Sequence, residues 1–203
     1  MNTAVWLIAA LVSLAVFVWL IAFDSPQQDD LVRGADATSP DLYMQRAAIT
    51  QYADDGGVRY ELRATEVRHF ESQRITQLNS PTLKLNREPR PAWIASARNG
   101  TIEEVDLATG DEEIVTLRGD VRLAQPESKQ QLELACSELE IYPGRRFART
   151  DQPVIITATS GRTTAAGLSG DLDAGLLKLT STATQRVKSV VLPGQIPWNE
   201  PRR

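Results

Sequence analysis

"VRYELRA" (Val58–Ala64) decides the fold. Val58, Tyr60, Leu62 and Ala64 fall on one parity, and Arg59, Glu61 and Arg63 on the other. A strand turns successive side chains to opposite faces, so this period of two makes one face apolar and the other charged. The same alternation returns in "TLKLN", "VRLAQ", "QLELA", "LEIY" and "LLKLT". Clusters rich in Gly, Pro, Asp and Asn separate these runs: "DDGG", "NREPRP", "ATGDEE", "YPGRR" and "TSGR". After the first residues, no stretch of helical length keeps an apolar period of three to four. The expectation is an all-β domain of many short antiparallel strands.

A repeat lies beneath the alternation. Val67 precedes Thr82 by fifteen residues, Leu139 precedes Val154 by fifteen, and Leu168 precedes Ala183 by fifteen. A fourth copy, from Ile102 to Val121, is four residues longer, and the excess is expected near the turn "ATGDEE". Pro81 and Pro153 stand immediately before the second marker in two copies. Each unit therefore reads as a strand, a polar turn, a second strand, a Pro or Gly kink and a third strand. Such units bury apolar surface only by stacking, as in a solenoid or, when two sheets face one another, a jelly roll.

The N-terminus is different in kind. "WLIAALVSLAVFVWLIAF" (Trp6–Phe23) belongs to an uncharged run of twenty residues from Ala4. As a helix this run is about 30 Å long, the thickness of a bilayer's hydrocarbon core. A cleaved signal peptide fits poorly: the run is too long, no Lys or Arg precedes it, and Phe23 stands where a small residue would be cut. Residues 1–23 are thus expected to be a retained transmembrane anchor, with Trp6 and Trp19 toward its two ends. With Arg33 alone within reach of the run, charge barely orients it; the large following part is expected on the exported side. Residues 24–41 are poor in large apolar groups and read as a flexible tether. Residues 42–192 form one domain, and 193–203 a Pro-rich tail.

Composition removes several function classes. A net charge of −4 with both signs interspersed offers no nucleic-acid surface. Cys136 is the single cysteine and His69 the single histidine, so neither a disulfide nor a Cys/His metal site is expected, and no cofactor. Cys136 is expected to fill a small buried space on a strand. The carboxylate pairs Asp29/Asp30, Asp54/Asp55, Glu103/Glu104 and Glu112/Glu113 are sequence neighbours that a strand sends to opposite faces, so they read as solvated charge. "GLSGDLDAG" lacks the Lys and following helix of a phosphate loop. The chain is not expected to be an enzyme.

Several blocks carry a resemblance. "YADDGGVRYELRATEVRHF", "SPTLKL", "PAWIASARNGTI", "LRGDVRL" and "AAGLSGDL" are similar to blocks of the LptC family, bitopic inner-membrane components of lipopolysaccharide export. The likeness spans nearly the whole chain. One departure is the missing basic residue before the apolar run, which members of the family often carry. The resemblance implies a twisted, open β-jelly roll in the periplasm, on a single inner-membrane span. It implies that the domain takes lipopolysaccharide from an ATP-binding-cassette transporter complex and passes it to a soluble periplasmic jelly-roll partner.

Acyl chains need an aliphatic lining and a fold open at both ends. The inward candidates are Ile49, Leu62, Leu78, Leu83, Leu85, Ile94, Leu117, Leu123, Leu134, Ile141, Ile156, Leu177 and Leu179, each of which could equally be ordinary sandwich core. Open ends leave edge strands for β-augmentation by a partner. The candidate edge is a final strand Thr184–Leu192, with Val187, Lys188, Ser189, Val190 and Val191 at its centre. Carried over from the family, this C-terminal edge is expected to meet the soluble partner. The N-terminal edge, near "LYMQRAAITQY", is expected to meet the transporter. Two other classes stay open: a membrane-tethered adaptor that binds only protein, and a polysaccharide- or peptidoglycan-binding module. The latter is weakened by having only four Trp, two of them in the expected anchor, because sugars usually stack on exposed aromatic platforms.

Overall fold

The structure is a computed structural model, and it describes residues 39–53, 55–87, 90–107, 110–128 and 131–192. The expected anchor, nearly all of the tether and the Pro-rich tail lie outside the described residues. Among the described residues, no helix is long and apolar enough to cross a membrane. Strand follows strand: β1 (Leu42–Tyr52), β2 (Val58–Phe70), β3 (Ile75–Asn79), β4 (Thr82–Arg87), β5 (Arg90–Ser96), β6 (Asn99–Leu107) and β7 (Gly110–Ala124). Then come β8 (Glu133–Tyr142), β9 (Phe147–Thr150), β10 (Val154–Ala158), β11 (Gly161–Ala165), β12 (Gly167–Asp171), β13 (Leu176–Thr180) and β14 (Lys188–Val191). A 3-10 turn, Glu71–Gln73, links β2 to β3.

Pairing explains the repeat seen in the sequence. β2 is long enough to pair with β3 through Glu66–Phe70 and with β4 through Tyr60–Arg63. Thus β3 and β4 are two halves of one bent strand, broken at Ser80–Pro81, where Ser80 has φ 48° and Pro81 has no N–H to give a ladder. The pairs β5/β6, β9/β10, β11/β12 and β13/β14 are built alike, and β7 and β8 run through the bend without a break. In β7 the bend is Gly119–Asp120, with φ 79° and 50°, and the ladder to β8 shifts register there. The result is a sequential antiparallel meander of bent strands, one continuous sheet folded into two leaves.

The first leaf holds β3, β6, β9, β12 and β13; the second holds β4, β5, β10, β11 and β14. β1, β2, β7 and β8 belong to both. The longer repeat copy is also explained. Val67 pairs with Leu78 and Leu168 with Leu179, each eleven residues on, whereas Ile102 pairs with Val115, thirteen on. Half of its four extra residues therefore lie at the hairpin, and the other half at the Gly119–Asp120 bulge.

The leaves face each other across one hydrophobic core. Leu62, Leu83, Leu123 and Leu134 come from the second leaf, Val67, Leu117, Leu139 and Ile141 from the first, and none is more than 1% exposed. The inward parity changes at the bend: Leu62 and Ala64 precede Val67 in β2, and Leu134 precedes Leu139 in β8. A bend that consumes residues outside the ladder resets the phase of alternation.

Candidate functional site: an aliphatic interior and its edges

Nine of the inward candidates meet in the interior. Leu78, Leu117 and Ile141 project from the first leaf, and Leu62, Leu83, Leu85, Leu123, Leu134 and Ile156 from the second. Their exposure runs from 0% to 8%, so the leaves are closed on one another. Ile49 of β1 and Leu177 and Leu179 of β13 are only partly buried against this core, at the two ends of the meander. Residues outside that candidate set, among them Val115, Val121, Leu139 and Leu168, are buried in the same core.

Ile94 is a correction. It lies across from Lys84 of β4, on the outer face, while its neighbours Trp93 and Ala95 take the inward places. Trp93, Ile94 and Ala95 are all apolar, so alternation carries no phase information there.

Glu113 is a second correction. It is not solvated charge. Parity sends Glu112 outward, where it pairs with Arg145, and Glu113 inward, where it accepts a hydrogen bond from the Tyr60 hydroxyl. Burial pushes the Glu113 carboxyl above its ordinary range; the Tyr60 hydrogen bond and the nearby Arg59 oppose that shift, and Glu104 adds to it. The Tyr60 phenol is pushed up too, by its own burial and by the Glu113 charge. A second polar group spans the interior: the Trp93 indole Nε1–H donates to the backbone carbonyl of Leu172 at 3.0 Å. Both follow the rule that buried Tyr and Trp find a partner for their polar end.

The outer faces are charged and laced with ion pairs. Glu140 accepts from Arg149 and from the Tyr142 hydroxyl, and Arg145 and Arg149 both lie over the Tyr142 ring. Burial of Glu140 opposes its charge, but these donors outweigh it and hold the carboxyl below the ordinary range. The Cys136 thiol is half-buried and donates to the Glu138 carbonyl; burial pushes its pKa up to about 11, which suits packing rather than reactivity. His69 bonds Thr76 and Glu71, across the turn it adjoins. Among the described residues no cluster of His, Cys, Asp or Glu could hold a metal.

Three strands have one paired neighbour along the described ladders: β1 on β2, β13 on β12 and β14 on β11. The final strand is shorter than the sequence suggests. Thr184–Val187 and Leu192 lie outside it, and a turn in which Thr182 N–H donates to the Gln185 carbonyl occupies the bend. Lys188, Ser189, Val190 and Val191 form β14, and Val187 precedes it; all five are exposed, Val190 at 69%. β11 approaches β14 so closely that a Cβ on Gly161 would stand 2.1 Å from the Val190 carbonyl oxygen.

Comparison with known proteins bears on this arrangement. A family model described as lipopolysaccharide-assembly, LptC-related, matches residues 7–187. No curated protein sequence matches. Eleven chains of solved structures do. Among them is the crystal structure of LptH, the LptA homologous periplasmic component of the conserved lipopolysaccharide transport device from Pseudomonas aeruginosa. It superposes with a TM-score of 0.52 at 10% identity, over 66% of this chain and 95% of that one. At that identity the likeness is one of fold.

Proposed function

The chain belongs to the LptC-related family of lipopolysaccharide assembly, and from that premise we propose that its two leaves conduct lipopolysaccharide between a transporter in the inner membrane and a soluble periplasmic jelly-roll protein. Its family, one of lipopolysaccharide assembly, supports a role in the lipopolysaccharide transport bridge rather than as an enzyme, and its jelly-roll-like, all-β fold suits that role. The observation that carries the conduit reading is the interior itself. Both leaves line it with aliphatic side chains, and its ends at β1 and β13 keep Ile49, Leu177 and Leu179 partly accessible. Acyl chains would gain about 25 cal/mol for each Å² of apolar surface taken from water there.

In this reading Trp6–Phe23 anchors the chain in the inner membrane and the strands stand in the periplasm. β1 adjoins the transporter, and β14 gives its unpaired side to the soluble partner by β-augmentation. The inward leucines would meet acyl chains only after the leaves part.

That closure also favours a second reading, a tethered adaptor that binds protein alone and keeps a permanently filled core. Photo-crosslinking side chains at Ile49 and Leu179 separate the two in working cells. A conduit yields lipopolysaccharide adducts at both positions. An adaptor yields protein adducts or none, and that result would end the conduit reading.

A further inference from the structure

The interior is closed, yet cargo that travels between the leaves must part them. Apolar packing resists this along the whole length. Two directional contacts are added at particular places. The Tyr60 hydroxyl of the second leaf donates to Glu113 of the first, and the Trp93 indole of the second donates to the Leu172 carbonyl of the first, 3.0 Å away. Tyr60 and Trp93 are 3% and 2% exposed, so the Trp93–Leu172 bond is shut away from water, whereas Glu113 is half-buried and its bond to Tyr60 is partly screened by water.

Their positions along the meander differ. Tyr60 belongs to the strand next to the β1 edge, and Leu172 to the turn that leads into β13 at the other edge. Their chemistry differs as well. The Tyr60 bond ends on a carboxyl group, that of Glu113, which lies directly across the β6–β7 ladder from Glu104. The Trp93–Leu172 bond is neutral at both ends. A Phe or Leu would fill either place without such a bond, so what the polar ends contribute is a catch that water can replace once the leaves separate.

We propose that Tyr60–Glu113 and Trp93–Leu172 are serial gates on the cargo path. Acyl chains entering from the β1 edge open the Tyr60 gate first and the Trp93 gate last. This rests on the conduit reading. It makes Tyr60 and Trp93 positioning residues for passage, distinct from the aliphatic lining.

The test uses the full-length chain in nanodiscs, with Cys136→Ala and spin labels at Tyr52→Cys and Gly144→Cys. Tyr52 is exposed at the end of β1 in the second leaf, and a Cβ on Gly144 in the first-leaf turn meets nothing within 4 Å. Pulsed dipolar spectroscopy then reads the separation of the two rims. Removing a hydrogen bond to a charged group raises the open fraction about tenfold or more, so Tyr60→Phe is expected to add a longer-distance population. Trp93→Phe is expected to add a smaller one. Glu113→Gln keeps an acceptor for the hydroxyl and is expected to stay closed.

Lipid A is the cargo probe. With Trp6, Trp19 and Trp198 changed to Phe, Trp93 emission reports the second gate. At rising lipid A the rims are expected to separate before that emission changes. Tyr60→Phe should open at about tenfold lower lipid A. Wild-type distances in both gate variants would overturn the proposal, and a change in Trp93 emission ahead of rim separation would overturn the order. Variants that open more readily while lipid A moves neither signal would refute the conduit reading, and the gates with it, but leave the two latches in place.

Discussion

Replacing Leu78 and Leu179 in turn by Asp separates what keeps the domain folded from what passes cargo. Leu78 is 2% exposed in β3 at the centre of the core. Removing it costs about 3–5 kcal/mol in lost burial and residual cavity. The new carboxyl must also stay neutral at pH 7, and raising its pKa by three units costs about 4 kcal/mol more. The total is about 7–9 kcal/mol, comparable with the 5–15 kcal/mol that holds a typical domain together. Leu179 of β13 pairs with Leu168 of β12 but is only partly buried at the edge, where a carboxylate can reach water. Its loss costs about 1 kcal/mol, or a few degrees of melting temperature. Leu78→Asp is therefore expected to leave no cooperative thermal transition by circular dichroism, and Leu179→Asp to melt a few degrees below wild type. In cells, Leu179→Asp is expected to stop lipopolysaccharide from reaching the cell surface although the protein is folded and present. Leu179→Ala, which loses similar packing without gaining a charge, is expected to export. Normal export by Leu179→Asp would show that acyl chains do not pass this edge. A near-native melting temperature for Leu78→Asp would show that the leaves are not packed at Leu78 in solution.

Gly161→Ala is expected to detach β14 from β11, because the new Cβ would overlap the Val190 carbonyl; the variant should lose co-purification with the soluble periplasmic partner while the transporter complex stays assembled, and loss of the transporter instead would reverse the assigned polarity. The pH dependence of Glu113→Gln has a defined sign. A carboxyl whose folded pKa is raised contributes stability that is full below its ordinary pKa and is lost as pH rises through the raised value. The variant should therefore melt above wild type at neutral pH, with the gap closing as pH falls into the ordinary carboxylate range.

The strands were legible wherever one parity was apolar and the other charged. "VRYELRA" identifies its own inward face, and Leu62 and Tyr60 lie where that pattern puts them. The repeat was legible as well, because several bends carry Pro, Gly or a residue at positive φ, as at Ser80–Pro81 and Gly119–Asp120. Phase was lost at two kinds of place. At Ile94 every neighbour is apolar, so only the pairing opposite Lys84 shows which side faces out. At Glu113 the residue type argues for water, and what overrides it is Tyr60, fifty-three positions earlier in the chain. No local pattern reports a partner at that distance.

The bend itself limits how another roll can join. β1 carries its bend at Arg46, φ 51°, and pairs with β2 on both sides of it, in both leaves. At the other end the corresponding strand is interrupted: β13 ends at Thr180, β14 begins at Lys188, and the turn at Thr182–Gln185 takes up the bend. An added strand could therefore follow β13 in one leaf and β14 in the other only by bending where β1 bends. A straight strand would satisfy one leaf and leave the other open, and Val190 and Leu176, at 69% and 68% exposed, sit on these two separate edges. Four residues of β14 supply few ladder bonds on their own. A partner that begins with a bent strand of the β1 kind would pair with both edges and carry the aliphatic lining of both leaves across the junction, which is the continuity that the proposed passage of acyl chains requires.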